Sequence, residues 1–139
     1  MPSHYKPLRF DSKLAYIVTG LLNSSFFYWW FVVWSDGRDL LTQHVTSFPL
    51  DLSNFPENLR ERLQSLVTKL MESYDENSNM KMNLRSGGYV IRIKEIISKK
   101  SKAIICQIDE VFADYSGFSS KEAEFIRRFD IEFRIESGV

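Results

Sequence analysis

The sequence predicts an α+β fold: a small helix-rich domain with one long aromatic helix, two or three further helices and a few short antiparallel strands. Three observations predict it. Residues 14–34 form a run of 21 residues without one charge. Residues 59–74 repeat apolar side chains at helical spacing, and residues 89–94 and 129–135 alternate apolar with polar as half-buried strands do. With 139 residues and 18 basic against 18 acidic side chains, the chain has the length of one domain and no overall attraction to anions.

Taken in order, residues 5–10 read as a short extended piece, kept at an edge by Pro7. Asp11 or Ser12 is a good N-cap, and a single helix is expected from there to Trp34. About twenty apolar residues is also the length of a membrane span. However, Thr19, Gly20, Asn23, Ser24 and Ser25 make a polar patch at its midpoint, and the aromatics crowd one half instead of flanking both ends. Leu14, Ile17, Val18, Leu21, Phe26, Trp29 and Trp30 share one face, so the helix is expected inside protein, not in lipid. The polar turn Ser35-Asp36-Gly37-Arg38 ends it.

Residues 39–44 read as a polar loop or short helix, and residues 45–50 as an edge strand ending at Pro49. Ser53-Asn54-Phe55-Pro56 starts the next helix. Its repeat of Leu59, Leu63, Leu66, Val67, Leu70, Met71 and Tyr74 is also that of a short coiled coil, which allows a homodimer. Residues 75–88 are a loop by composition, followed by the strand at 89–94. From Ser98 or Ser101 a helix carries Ile104, Ile105, Ile108, Val111, Phe112 and Tyr115 on one face, with Gly117 as its C-terminal stop. Ser119-Ser120-Lys121-Glu122 is a capping box for one more short helix, and residues 129–135 form the final strand.

Chemistry is sparse. No glycine-rich phosphate loop, Gly-x-Ser-x-Gly elbow or paired metal ligands occur, so no catalytic residue, metal or cofactor is expected. Asp109 and Glu110 are adjacent on a helix and do not face each other. The single cysteine, Cys106, excludes an internal disulfide and reads as a buried structural thiol among isoleucines. The start of the chain has no secretory signal pattern, which points to the cytoplasm. Charge is unevenly placed: from Lys81 to Lys102 seven bases face only Glu95, 7 − 1 = +6, whereas from Ala103 onward eight acids face four bases. A basic block beside glycine-rich backbone is a phosphate-contacting footprint, or else a solvated lysine-rich loop.

Two stretches resemble a known family. The first is Leu21-Leu22-Asn23-Ser24-Ser25-Phe26-Phe27-Tyr28-Trp29-Trp30, followed by Ser35-Asp36-Gly37-Arg38, Thr42-Gln43-His44-Val45 and Ser47-Phe48-Pro49-Leu50. The second includes Lys99-Lys100-Ser101-Lys102, Ile108-Asp109, Gly117-Phe118, Glu124-Phe125-Ile126 and Asp130-Ile131. Together they are similar to the C-terminal part of the target-recognition domain of type II, especially type IIG, restriction–modification enzymes and related adenine-specific DNA methyltransferases. The chain departs from that pattern in having His44 directly before Val45, where the family usually has arginine–aspartate before an isoleucine.

The resemblance implies that residues 1–52 are the end of a target-recognition domain and residues 53–139 a helical tail, in one compact unit. It implies a role in reading double-stranded DNA beside a catalytic methyltransferase or endonuclease domain or subunit. The family's Asn/Asp-Pro-Pro-aromatic motif and cofactor-binding glycine motif are absent here, so the chain is expected to be no enzyme by itself. On this reading Arg38, Thr42, Gln43 and His44 are candidates for base edges, unless Arg38 merely caps the helix and the loop only connects. Lys81, Arg85, Lys99, Lys100 and Lys102 are candidates for phosphate. The competing expectation is a protein–protein interaction module without DNA affinity, associating through the 57–74 helix and the aromatic helix.

Overall fold

The computed structural model describes residues 7–129, and the expectations for residues 1–6 and for a final strand over 129–135 lie wholly or mostly outside them. The α+β class is as expected: six α-helices and one two-stranded antiparallel sheet among the described residues. The helices are α1 (Ser12–Leu22), α2 (Ser25–Trp34), α3 (Thr42–Thr46), α4 (Glu57–Glu76), α5 (Lys102–Ser116) and α6 (Ser120–Arg128). The strands are β1 (Ser78–Leu84) and β2 (Val90–Ile96), and 3-10 turns cover Leu52–Asn54 and Ser98–Ser101.

The expected continuous aromatic helix is broken in two, with α1 and α2 meeting at 68°. The cause is local first. Ser24 takes an extended backbone, and its Oγ accepts from the Phe27 amide at 3.2 Å, so it N-caps a new helix instead of continuing the old one. A residue far away in sequence completes the job. Asp109 of α5 is 1% exposed, and its carboxylate accepts from the Ser25 amide at 2.8 Å and the Ser25 hydroxyl at 2.7 Å. A buried carboxylate at a helix N-terminus satisfies donors that the helix leaves orphaned and complements its dipole. Asn23 adds a third anchor, its Oδ1 accepting from the Tyr74 hydroxyl at 3.0 Å. The polar midpoint of the uncharged run is therefore a corner. No single helix among the described residues is long and apolar enough to cross a membrane; only the bent α1–α2 pair has the length and composition.

The core lies between α1, α4 and α5. Leu63, Leu66, Val67 and Leu70 of α4 are buried at the predicted spacing, against Ile17 and Leu21 of α1 and Ile108, Val111 and Phe112 of α5. The apolar stripe of α4 is thus used inside the chain. Gly20 lets α1 approach α4 closely, since a Cβ there would stand 2.9 Å from Leu63 Cδ1 and 3.2 Å from Val67 Cγ2. Phe26 and Phe27 are buried from α2, Trp29 and Trp30 are half-buried, and Trp34 is 72% exposed. Glu110, next to buried Asp109, faces solvent and pairs with Arg62 of α4 at 3.3 Å.

Several termini follow their sequence signals. Asp11 caps α1 by accepting from the Leu14 amide at 2.9 Å. Gly117 ends α5 with φ 72°, which glycine adopts without steric cost. Ser119 and Glu122 form the capping box of α6, at 3.2 and 2.8 Å. Two expectations are overturned. Residues 45–50 hold no strand: α3 covers Thr42–Thr46, and Val45 is buried from it. Residues 75–88 are not all loop: α4 extends to Glu76 and β1 follows, a polar stretch made into a strand by its pairing with β2.

Candidate nucleic-acid interface

β1 and β2 form a hairpin joined by the turn Arg85–Tyr89, closed by Arg85 N–H donating to Tyr89 O at 2.9 Å. Gly87 and Gly88 sit at φ 105° and 81°, where side chains are strained, so the glycine pair is what lets the chain reverse. The register runs from Ser78 opposite Ile96 to Leu84 opposite Val90. At its base the ribbon is tied to the body by the Ile97 amide donating to Asn77 O at 2.9 Å. Beyond that point no helix among the described residues packs along it, and most of its side chains are exposed, with Ile91 and Glu95 half-buried.

The register sorts its side chains. Partners opposite one another share a face and successive residues alternate. Met80, Met82, Leu84, Val90 and Ile96 therefore share one face with Arg92 and Lys94. Lys81, Asn79, Asn83, Ile91, Ile93 and Glu95 share the other. Of the seven cations in the basic block, two are held by acids of this chain. Lys81 pairs with Glu95 at 2.7 Å, and Lys94 pairs with Asp75. Arg85, Arg92, Lys99, Lys100 and Lys102 form no ion pair among the described residues. Both internal pairs are solvent-exposed, and such pairs contribute about 0–1 kcal/mol, little against exchange for a phosphate.

Lys99 and Lys100 lie in the 3-10 turn that leads out of the hairpin, and Lys102 opens α5. Three lysines at a helix N-terminus sit on the end where the peptide dipoles disfavour cations, each by a few tenths of a kcal/mol. Stability alone gives no reason for them there. An anion at this place would answer both the lysines and the helix end.

The base-edge candidates are arranged differently. Arg38 is exposed in the turn after α2, its amide donating to Asp36 Oδ1 at 3.1 Å. Thr42 and Gln43 are exposed on α3. His44 is engaged within the protein: its Nδ1 accepts from the Leu41 amide at 3.0 Å, and its ring stands edge-on to Phe31 at 5.3 Å. The segment that follows, Phe48 to Asp51, lies against the C-terminal end of α5, near Ser116 and Phe118. The hairpin and Lys99–Lys102 lie at the N-terminal end of α5, about 20 Å away by helix rise. The structure thus places Lys99, Lys100 and Lys102 at the hairpin base, Lys81 partway along β1 and Arg85 at the far tip, about 24 Å from Ser78 by strand rise, and does not bring Arg38–His44 to them.

No family model, curated protein or solved structure matches this chain. The sequence alone assigns Arg92 no role, because residues 75–88 lack any strand signal that would fix the hairpin register. Cys106, expected to be buried, is half-buried; desolvation, then the Asp109 charge, push its thiol pKa up, which makes it a poor nucleophile. Among the described residues no group of three or more His, Cys, Asp or Glu side chains is placed to hold a metal.

Proposed function

We propose that this chain binds double-stranded DNA as the target-recognition part of a restriction–modification enzyme, in the cytoplasm and beside a catalytic domain or subunit that supplies the chemistry. The observation that carries the DNA part is the ribbon β1–β2, which among the described residues stands free of the helices and has Arg85 and Arg92 without an ion pair, with Lys99, Lys100 and Lys102 at its base. A two-stranded antiparallel ribbon fits the width of the B-DNA major groove, and basic residues at its root fall on the flanking phosphates. The restriction–modification part rests on the sequence resemblance. In this reading Arg92 is the ribbon residue best suited to a guanine edge, while Arg38, Thr42 and Gln43 reach a second place on the duplex.

The test is fluorescence anisotropy of a labelled duplex across a salt series. Binding that weakens as salt rises is expected, with a slope that falls by about 2 when Lys99 and Lys100 are both changed to alanine, near 0.9 for each phosphate no longer neutralised, whereas Arg92→Ala relaxes the preference between duplexes. No binding at low salt, or binding indifferent to salt, overturns the proposal.

A second reading has one observation in its favour. Val33, Trp34, Leu40 and Leu41 are exposed near one another in sequence at the far end of α2, an apolar surface suited to a protein partner. It excludes the α4 stripe, which is already buried. Salt-insensitive self-association in size-exclusion chromatography, lost on Trp34→Ala and without a DNA shift, would favour it.

A further inference from the structure

Behind the hairpin base the described residues line an open cavity of about 610 Å³, where the α1–α2 corner, the end of α4, the start of α5 and the end of α6 meet. Its inner wall is buried and polar, formed by Ser24, Ser25 and Asp109. Its rim is basic. Lys99 and Lys102 stand there from the start of α5, exposed and without an ion pair among the described residues. Arg127 and Arg128 stand there from α6 and share Glu124, at 3.2 and 2.8 Å. Four cations against Asp109 and Glu124 leave 4 − 2 = +2 around the cavity. Tyr28 and Tyr74 supply aromatic surface, and the Tyr74 hydroxyl is committed to Asn23, which leaves its ring as the group on offer.

We propose that this cavity binds a free mononucleotide, its phosphate dianion between Lys99 and Lys102 and its base against Tyr28 and Tyr74. The volume lies within the roughly 300–1,000 Å³ of small-molecule sites, and a dianion matches the local excess of two charges. The start of α5 adds its own partial positive charge to the phosphate end. Aromatic faces bind any base, so the site selects for phosphate more than for sequence. This inference does not rest on duplex binding.

The chain carries its own reporter, since its only cysteine, Cys106, lines this cavity. Its raised thiol pKa calls for alkylation at alkaline pH, above the ordinary thiol pKa of about 8.5. The expected result is that adenosine 5′-monophosphate slows alkylation about tenfold at ten times its Kd, by mass action. Adenosine at the same concentration protects far less. The double variant Lys99→Glu with Lys102→Glu, at exposed positions, weakens the nucleotide at least about tenfold, as expected for lost charge-assisted bonds. The Arg85→Ala, Arg92→Ala variant keeps full protection, which separates this site from the ribbon. No protection by the nucleotide, equal protection by adenosine, unchanged protection in the lysine variant, or protection only by a 5′-phosphorylated oligonucleotide each overturns the proposal.

Discussion

The helical body and the hairpin solve opposite problems with the same kinds of residue. In the body, Ile17, Leu21, Leu63, Leu70, Ile108 and Phe112 are removed from water, and the buried carboxylate of Asp109 has its donors in place. In the hairpin, Met80, Met82, Leu84, Tyr89, Val90, Ile93 and Ile96 are all exposed, Leu84 at 77%. An isolated two-stranded hairpin is marginal in water, and an uncovered apolar ribbon invites pairing with something else. The body is specified by its own packing. The hairpin is specified by its register and its glycine turn, and no helix among the described residues packs over its exposed side chains.

If that contrast is right, the largest effects belong to the body. Phe112→Ala removes a side chain with 0% exposure and an edge contact to Phe55 at 5.8 Å. The expected loss is about 4 kcal/mol in urea unfolding, the sum of transfer and cavity costs. A loss under about 1 kcal/mol would mean that the site collapses freely and the body is not close-packed.

Next comes the corner. Asp109→Ala leaves the Ser25 amide and hydroxyl buried without their acceptor, and should cost about 2–3 kcal/mol. Asp109→Asn keeps one acceptor and should cost less. If both variants unfold at the wild-type midpoint, Ser24 alone holds the bend. Gly20→Ala is a finer probe of the α1–α4 approach. Helix propensity favours alanine by about 1 kcal/mol, but the new methyl meets Leu63 and Val67 at 2.9 and 3.2 Å. Overpacking should win, for a net loss of about 1 kcal/mol. A gain in stability would show that α1 can slide on α4.

The same contrast explains what is legible in the sequence. Where a signal is local, it can be read: Asp11, Gly117 and the Ser119–Glu122 box mark real helix ends, and Leu63, Leu66, Val67 and Leu70 of the α4 repeat are buried as spaced, although Met71 is exposed. The break at Asn23–Ser24 is hidden, because hydrophobic periodicity runs through it. Ser24 carries half the signal, and the other half is Asp109, 84 residues away from Ser25. Strand β1 is hidden too, because Ser-Asn-Met-Lys-Met-Asn-Leu has loop composition and only its partner makes it a strand. Residues 45–50 mislead the other way: weak alternation suggests a strand, but His44 accepting from the Leu41 amide and Val45 reaching the core favour a helical turn. The basic block is visible as composition. That Lys81 and Lys94 are paired while Arg85 and Arg92 are not depends on the register, which composition does not contain.

The smallest expected effect is the sharpest test of the contrast. Met82→Ala on β1 removes a large apolar side chain that is mostly in water, beside its cross-strand partner Arg92 and with no helix among the described residues over it. Nothing is uncovered by its loss, so global stability should change by no more than about 0.5 kcal/mol, as for ordinary surface positions. Amide exchange should agree: β1 and β2 amides exchange by local opening, while those of Leu66, Leu70 and Val111 exchange near the global limit. Adding duplex DNA should then slow exchange in the hairpin and leave the core amides in their order. A loss above about 1 kcal/mol for Met82→Ala would place that side chain against the body in solution. The ribbon would then be part of the core, and its arginines would lose their claim to an outside partner.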